Sequence, residues 1–168
     1  MKTLLLLLFM SLLSSPSWSE TVDDLVERES IYYPKFSDVP FTGKITGAEQ
    51  GSLKNGKKEG AWVYYHDNGQ LRSKSNYKNG KKEGAYVTYM MNGQLWYKGN
   101  YKNGKKEGAW VYYYNNGQLE DKGNYKNGKK EGAWVKYYDN GQLWNKGNYK
   151  NGKEEGAWVT YDGNGEKM

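Results

Sequence analysis

The chain has 168 residues, with 25 Lys and Arg against 19 Asp and Glu and a formal net charge of +6. This length suits a single domain, and the absence of Cys excludes disulfides and a lipidated N-terminal cysteine. Residues 20–50 carry three basic against seven acidic residues, whereas residues 51–168 carry 21 against 12. The positive charge therefore belongs to residues 51–168 and favours anionic lipid headgroups, acidic glycans or an acidic protein as partners.

Residues 1–19 have the pattern of a secretory signal peptide. Lys2 precedes an apolar stretch from Leu4 to Leu13, and small residues follow it. The stretch is shorter than the roughly 20 residues that a membrane-spanning helix needs, so a retained anchor is the weaker alternative. We predict cleavage between Ser19 and Glu20 and an exported protein, periplasmic or secreted, without a retained transmembrane helix. Export argues against nucleic acid as a partner.

Residues 20–50 are predicted to form an N-terminal cap segment. Within it, Val22 to Arg28 is the one stretch expected to form a short helix. The segments from Pro40 to Ile45 and from Gly51 to Leu53 are predicted to cover one end of the structure that follows.

Residues 51–168 contain a repeat of 24 residues, the strongest pattern in the chain. Three series of positions share this spacing. They are Gly60, Gly84, Gly108, Gly132 and Gly156, an Asn-Gly pair beginning at 68, 92, 116, 140 and 164, and a second Asn-Gly pair beginning at 55, 79, 103, 127 and 151.

Each repeat is predicted to be a β-hairpin. The segment from Ala109 to Tyr114 is aromatic and β-branched, which favours a strand. Asn116-Gly117 predicts a two-residue type I′ turn, and the second strand follows it up to Lys126. The segment from Asn127 to Gly132 is expected to be a loop that leads to the next unit. The fold class is therefore all-β, and residues 51–168 form one β-hairpin repeat domain.

A two-residue turn at Asn116-Gly117 would pair Trp110 with Gly123, and the indole would cover the gap that the missing side chain leaves. The alternative is a three-residue turn with a glycine bulge, which would move Trp110 to the polar side. We prefer the first register. In this register, recurring aromatic and glycine residues are predicted to hold the array together: Trp62, Tyr86, Trp110, Trp134, Trp158, Gly99, Gly123 and Gly147.

The unit resembles the MORN repeat in its bacterial variant form. The resemblance rests on the segment from Tyr97 to Tyr101, which reads Tyr-Lys-Gly-Asn-Tyr, and on the recurring Asn-Gly-Lys-Lys-Glu-Gly segment, and it covers about residues 51–165. It implies an elongated, twisted single antiparallel sheet of hairpins with a scaffold or binding role. Lipid binding is often proposed for this family. Many bacterial proteins with the variant repeat carry the label of a YwqK-family antitoxin, which would make the partner a toxin protein.

The sequence offers no pattern of catalytic, metal-binding or cofactor-binding residues, so we predict that the protein is not an enzyme. His66 is the single histidine, and Met90, Tyr114 and Tyr138 hold the equivalent positions in other units. One glutamate recurs in every unit, and identical copies indicate a structural role because acid–base catalysis needs a differentiated pair.

Two sets of residues are candidates for binding. Trp96 and Trp144 stand where other units have Arg72 and Glu120, and they are predicted to contact a protein partner from the side of the sheet opposite Trp110. The second set is a predicted anion-binding ridge of paired lysines: Lys57, Lys58, Lys81, Lys82, Lys105, Lys106, Lys129 and Lys130. The preferred function is a non-catalytic binding or scaffold protein. Peripheral binding to anionic lipid or glycan and an antitoxin-like role are the alternatives.

Overall fold

A computed structural model describes residues 19–168, so the predicted signal peptide, residues 1–19, lies outside the described residues except for Ser19. One open sheet of 12 strands has the order β1-β4-β5-β6-β7-β8-β9-β10-β11-β12-β13-β14, and β2 pairs with β3 in a separate hairpin. The strands are β1 Ser19–Thr21, β2 Leu25–Arg28, β3 Ile31–Pro34, β4 Gly43–Thr46, β5 Glu49–Lys54, β6 Lys57–Tyr65, β7 Leu71–Lys78, β8 Lys81–Tyr89, β9 Leu95–Lys102, β10 Lys105–Tyr113, β11 Leu119–Lys126, β12 Lys129–Tyr137, β13 Leu143–Lys150 and β14 Lys153–Thr160. This arrangement confirms the predicted all-β sheet of tandem hairpins.

The two series of Asn-Gly pairs form different turns, and the sequence prediction assigned them wrongly. Asn127 and Gly128 both have positive φ, 53° and 83°, and Lys126 pairs directly with Lys129. This is the two-residue type I′ turn, and it replaces the predicted loop between units. At Asn116-Gly117 only Gly117 has positive φ, at 84°, and its N–H donates to the Tyr114 carbonyl over 3.0 Å. That turn has three residues and a glycine in the left-handed region.

The preferred register is nevertheless correct, because a bulge absorbs the extra turn residue. Trp110 pairs with Gly123 and Tyr112 with Asp121, but Tyr113 then pairs with Leu119. Glu120 is therefore an unpaired bulge residue. The same shift recurs in the other hairpins, where Trp96 and Trp144 are the extra residues.

Each tryptophan of the recurring series Trp62, Trp110, Trp134 and Trp158 covers a glycine, but not the glycine predicted. The ring of Trp110 lies on Gly99 of the preceding strand, where an added Cβ would be 2.3 Å from Trp110 Cδ2. Gly123 carries Trp134 in the same way, also at 2.3 Å. The contact therefore joins successive 24-residue units, across the tight turn that links them. Trp110 and Trp134 are completely buried, so these contacts make the array cooperative between neighbouring units.

The β7–β8 strand pair departs from this pattern at both positions together. Ser75 stands at the glycine position and Tyr86 at the tryptophan position that would cover it. Ser75 is 4% exposed. A side chain with a Cβ at this position leaves no room for an indole, and the smaller tyrosine ring replaces it.

The recurring glutamates bind the tight turns of the following unit. Glu107 Oε2 accepts the backbone N–H of Asn127 over 2.8 Å, and Gly128 N–H donates to the Lys106 carbonyl over 2.9 Å. Equivalent glutamate contacts of 2.7–2.8 Å occur from Glu59, Glu83 and Glu131. The structure thus gives these carboxylates the structural role expected from their repetition.

Replacing Glu107 with alanine is expected to reduce the free energy of unfolding by about 1–2 kcal/mol, because it leaves a backbone donor without its charged acceptor. Chemical denaturation monitored by tryptophan fluorescence measures this. Glu155→Ala is the matched control, since Glu155 contacts only Lys150, over 3.1 Å at the surface. Equal losses for the two variants would refute the capping role.

The N-terminal segment packs against the first unit, and its local structure differs from the prediction. Only Val22–Asp24 is helical, as one 3₁₀ turn, and Leu25–Arg28 is a strand. Gly56 N–H donates to the Phe41 carbonyl over 2.7 Å, as later turns donate to a preceding unit. Leu25, Phe41, Ile45, Leu53, Trp62 and Tyr64 form the buried cluster at this end.

The last unit has no following hairpin within residues 19–168. Strand β14 pairs with β13 alone, and the residues after it turn back to a single bridge between Tyr161 and Lys167. Within this described part, no helical segment has the length and apolarity needed to cross a bilayer.

Candidate binding surfaces

The two sides of the sheet have different chemistry because side chains alternate along each strand. We name the side that carries Trp62, Trp110 and Trp134 the aromatic face. The other side carries alanine and valine next to exposed asparagine and lysine, and we name it the lysine face. Val111 pairs with Lys122 there, and Ala109 pairs with Asn124.

The predicted lysine ridge is divided between these two faces. The second lysine of each pair lies half-buried on the aromatic face, where Lys58, Lys82, Lys106 and Lys130 each place Nζ 3.9–4.3 Å from the ring centroid of the unit's Trp or Tyr. Lys106 is also within 6 Å of the rings of Tyr97, Tyr112 and Tyr125. These four lysines make cation–π contacts that pack the aromatic face, and they do not extend the exposed ridge.

Burial changes the protonation of groups on the aromatic face. It lowers the pKa of Lys106 and of Lys130, and for Lys130 the nearby Asp121 opposes the change. Burial also raises the pKa of Asp121, although Lys130 Nζ lies 3.8 Å from its Oδ2. The pKa of Tyr64 is raised to about 12, mainly by burial, and burial raises that of Tyr112 as well. The face therefore disfavours charge.

These tyrosines predict alkaline instability. Their pKa is raised in the folded state above the value of about 10 in the unfolded chain, so their stabilising effect is complete below pH 10. It is lost as the pH rises towards 12, the folded-state pKa of Tyr64. Unfolding midpoints measured between about pH 9 and about pH 12 should fall steeply. A Tyr64→Phe/Tyr112→Phe variant should show a shallower fall, and an identical slope would contradict the assignment.

Trp96 and Trp144 lie on the aromatic face, not on the opposite side as the sequence predicted. Because both are bulge residues, they interrupt the alternation of side chains between the two faces, and their rings lie on the same face as those of adjacent residues. Trp96 is 5.0 Å from the Tyr97 ring, and Trp144 is 5.8 Å from that of Tyr138 and 5.4 Å from Lys136 Nζ. They are 47% and 38% exposed. Both indoles are therefore accessible to a partner.

A cavity of about 620 Å³ lies beside Trp96. It forms where β7 and β8 carry small residues, because Ser73 and Thr88 stand where β9 and β10 carry Tyr97 and Tyr112. We name it the Trp96 cavity, and its lining is Tyr64, His66, Arg72, Ser73, Tyr77, Lys82, Tyr86, Thr88, Tyr89, Met90, Met91, Trp96 and Tyr97.

The Trp96 cavity is mainly apolar and carries positive charge. Its lining contains Arg72 and Lys82 and no carboxylate. Several of its polar groups are already engaged, since Thr88 Oγ1 donates to the Arg72 carbonyl over 2.9 Å and His66 Nε2 contacts the Tyr89 carbonyl over 3.0 Å. Met91, on the rim, is 65% exposed. The cavity thus fits an apolar group that has an acidic neighbour.

Sequence reasoning missed this cavity, although a signal was present. The β7–β8 strand pair departs from its neighbours at four positions, where it has Ser73, Ser75, Tyr86 and Thr88. The sequence prediction of a binding site rested on the departures at Trp96 and Trp144 and did not include these four.

The lysine face carries pairs of exposed lysines at the tight turns. Lys102 pairs across the turn with Lys105, and four other turns repeat the arrangement. These pairs are Lys54 with Lys57, Lys78 with Lys81, Lys126 with Lys129 and Lys150 with Lys153. The first lysines of the predicted ridge, Lys57, Lys81, Lys105 and Lys129, therefore do lie in one exposed row, with partners that the prediction did not include.

No group of three or more His, Cys, Asp or Glu side chains with metal-binding geometry occurs in the described part of the chain. His66 lies on the rim of the Trp96 cavity, where its ring nitrogen contacts a backbone carbonyl.

Comparison with solved structures gives only distant similarity. An S. aureus TarM mutant in complex with fondaparinux, alpha-GlcNAc-glycerol and UDP is 14% identical over 66% of this chain and 21% of its own, with a TM-score of 0.32. Another TarM structure is 12% identical over 64% of this chain and 22% of its own, with a TM-score of 0.30. A GtfA/B complex bound to UDP and GlcNAc is 16% identical over 73% of this chain and 26% of its own, with a TM-score of 0.23. The chain thus spans about a fifth of the TarM chains, and no curated protein matches it.

The repeat itself is matched by a family. The sequence profile described as MORN repeat variant matches residues 58–79, 82–103, 106–127 and 130–151. None of the comparisons carries the antitoxin label. Since the matched segments make up more than half of its length, the chain belongs to the MORN repeat variant family.

Proposed function

We propose that the protein is an exported, non-catalytic binding protein that holds a protein partner on its aromatic face, at the Trp96 cavity. The exposed indole of Trp96 beside an unfilled hollow is the observation that carries this proposal. MORN repeats are generally associated with binding or scaffold roles. Trp, Tyr, Met and Arg are the residues enriched at protein interfaces, and the cavity is lined by all four.

The Trp96 cavity has an ordered wall and a charged rim. Tyr86 and Tyr97 form one wall of the cavity, and their ring centroids lie 5.8 Å apart. This packing orders the wall before a partner binds. Arg72 supplies a charge at the rim, over the ring of Tyr64 at 5.5 Å. Trp144 offers a second contact two units away on the same face, so a partner that lies along the array reaches both. A toxin protein is one candidate for such a partner.

The test uses a photo-crosslinking amino acid at Met91, on the cavity rim, and at Lys74, on the opposite face, in the native host. We expect one protein to be crosslinked from Met91 and not from Lys74. Its affinity for the purified chain, measured by calorimetry, should fall about tenfold or more with Trp96→Ala, as for an interface anchor residue. Unchanged affinity in a folded Trp96→Ala variant would refute the proposed site.

Export is tested separately, by cell fractionation and by the mass of the mature chain. Cleavage after Ser19 leaves Glu20 and Thr21 in β1, where they pair with Ile45 and Thr46. A mature N-terminus at Glu20 in the exported fraction is the expected result. Retention of the full-length chain in the cytoplasm would contradict it.

A further inference from the structure

The lysine face, on the opposite side of the sheet from the Trp96 cavity, carries closely spaced pairs of lysines. Each tight turn places two lysines directly opposite each other, as Lys102 and Lys105 do. Like charges in cross-strand pairs are destabilising, and the array repeats such a pair at five turns. Of the lysines in these pairs, Lys150 alone has a carboxylate within 4.0 Å among the described residues.

A second row of positive charge runs parallel to the turns. Lys74, Lys98, Lys122 and Lys146 are exposed on the same face, next to valines of the neighbouring strands. Between the two rows lies a line of small and amide side chains, in which Ala61 pairs with Asn76 and Ala85 with Asn100. Hollows of about 610 Å³ and 290 Å³ follow this line. The face is therefore a shallow groove along the array, with lysines on both sides.

The charge of this groove is only partly compensated on the face itself. Each unit contributes one glutamate near the turn, such as Glu107, whose Oε2 accepts a backbone N–H. Three exposed lysines accompany it, at positions such as Lys98, Lys102 and Lys105. Every unit thus leaves an excess of positive charge, except that Lys150 is paired with Glu155 in the last one.

The spacing of this charge selects the form of the ligand. Strands lie about 4.8 Å apart and a unit contains two, so equivalent lysines recur about every 9.6 Å. A linear sugar polymer with one anionic group per disaccharide has a matching period. The exposed amides of Asn76, Asn100 and Asn124 can donate to and accept from sugar hydroxyls.

A lipid surface fits the lysine face less well. Proteins that lie on a bilayer insert large apolar side chains among the lipids beside their basic residues. The large apolar side chains exposed in the described residues are Phe36, Val39, Met91, Trp96, Trp144 and Met168. None of these belongs to the lysine face, since Met91, Trp96 and Trp144 lie on the other side and the rest lie outside the repeat strands.

We propose that the lysine face binds a linear acidic polysaccharide, which lies in the groove across successive hairpins with one anionic group for each lysine pair. This site is independent of the protein site on the aromatic face, and together they would let the protein link a partner to an acidic glycan.

The test measures fluorescence anisotropy of labelled hyaluronan oligosaccharides, which carry one carboxylate per disaccharide, with the full chain. Affinity should rise with each added disaccharide up to about five, one for each lysine pair, and then level off. Carboxyl-reduced hyaluronan should not bind. Lys102→Gln/Lys105→Gln should weaken binding roughly tenfold or more, because it removes the central pair and interrupts the row.

The matched control is Arg72→Gln/Lys136→Gln, which removes two positive charges from the aromatic face. It should change the affinity less than about twofold, with thermal unfolding used to show that both variants are folded. Equal weakening by the two variants would mean that net charge alone attracts the polymer, and would overturn the proposal. Equal or tighter binding to duplex DNA or to vesicles of anionic phospholipid would overturn it too. Trp96→Ala should leave the hyaluronan affinity unchanged, which keeps this test separate from that of the protein site.

Discussion

Replacing Gly123 with serine is expected to reduce the free energy of unfolding by about 2–3 kcal/mol, because the new side chain collides with a buried ring. A Cβ on Gly123 would lie 2.3 Å from Trp134 Cδ2. Trp134 is completely buried, and its Nε1 donates to the Asn124 carbonyl over 3.1 Å. The indole is therefore held from both sides and cannot move away without losing this hydrogen bond.

A second substitution, Trp134→Tyr, is expected to recover much of that loss. The chain already contains the resulting pair, since Ser75 and Tyr86 hold the equivalent positions one unit after the first. By itself, Trp134→Tyr removes buried ring area and should destabilise by about 2 kcal/mol. The double variant should therefore be more stable than the sum of the two single changes predicts, with a coupling of about 2 kcal/mol.

Urea denaturation of the four proteins of this cycle measures the coupling. Gly163→Ser is the control for the serine itself, because an added Cβ at Gly163 meets nothing within 4 Å. Additive losses in the double variant would show that Ser75 and Tyr86 occur opposite each other for another reason, and would refute the steric pairing.

The period of the repeat was sufficient to predict the sheet and its register, since a spacing of 24 residues with alternating faces leaves few alternatives. The turn types were not predictable from the Asn-Gly pairs, because both series contain the same dipeptide. The difference arises in tertiary structure, where Gly128 N–H donates to the Lys106 carbonyl of the preceding unit and holds the tight turn in place. No local sequence preference contains that contact.

The ring contacts were also beyond a pairing argument. The strand register pairs the backbone of Trp110 with that of Gly123. It does not decide which glycine the indole covers, because the ring can lie over either neighbouring strand. The choice depends on the bulge at Gly108, where φ is 69° and the pairing passes from Glu107 directly to Val111. That bulge leaves Gly99 opposite Trp110 on the other side, and the ring covers it. The same kind of irregularity moved Trp96 to the aromatic face, so bulges decided the positions of both the packing and the candidate binding residues.

The tryptophans of the aromatic face divide into two groups that substitution by alanine should separate. Trp110→Ala is expected to reduce the free energy of unfolding by about 3–5 kcal/mol, as for a fully buried aromatic residue. Trp110 contacts the rings of Tyr86, Tyr97 and Tyr101 on one side and of Tyr112 and Tyr125 on the other. Its removal also leaves Lys106, now 4.3 Å from the indole centroid, half-buried without that ring.

Trp96→Ala and Trp144→Ala are expected to cost less than about 1 kcal/mol each, because their rings are partly exposed and each belongs to a single bulge. Denaturation curves of the three variants, recorded at equal concentration, test this division. If Trp96→Ala proved as destabilising as Trp110→Ala, Trp96 would be a packing residue, and its exposed ring would be no guide to function. A large loss for Trp110→Ala with near-wild-type stability for Trp96→Ala instead means that the array is held together by the recurring tryptophans. Trp96 is then available to a partner at little cost to the fold.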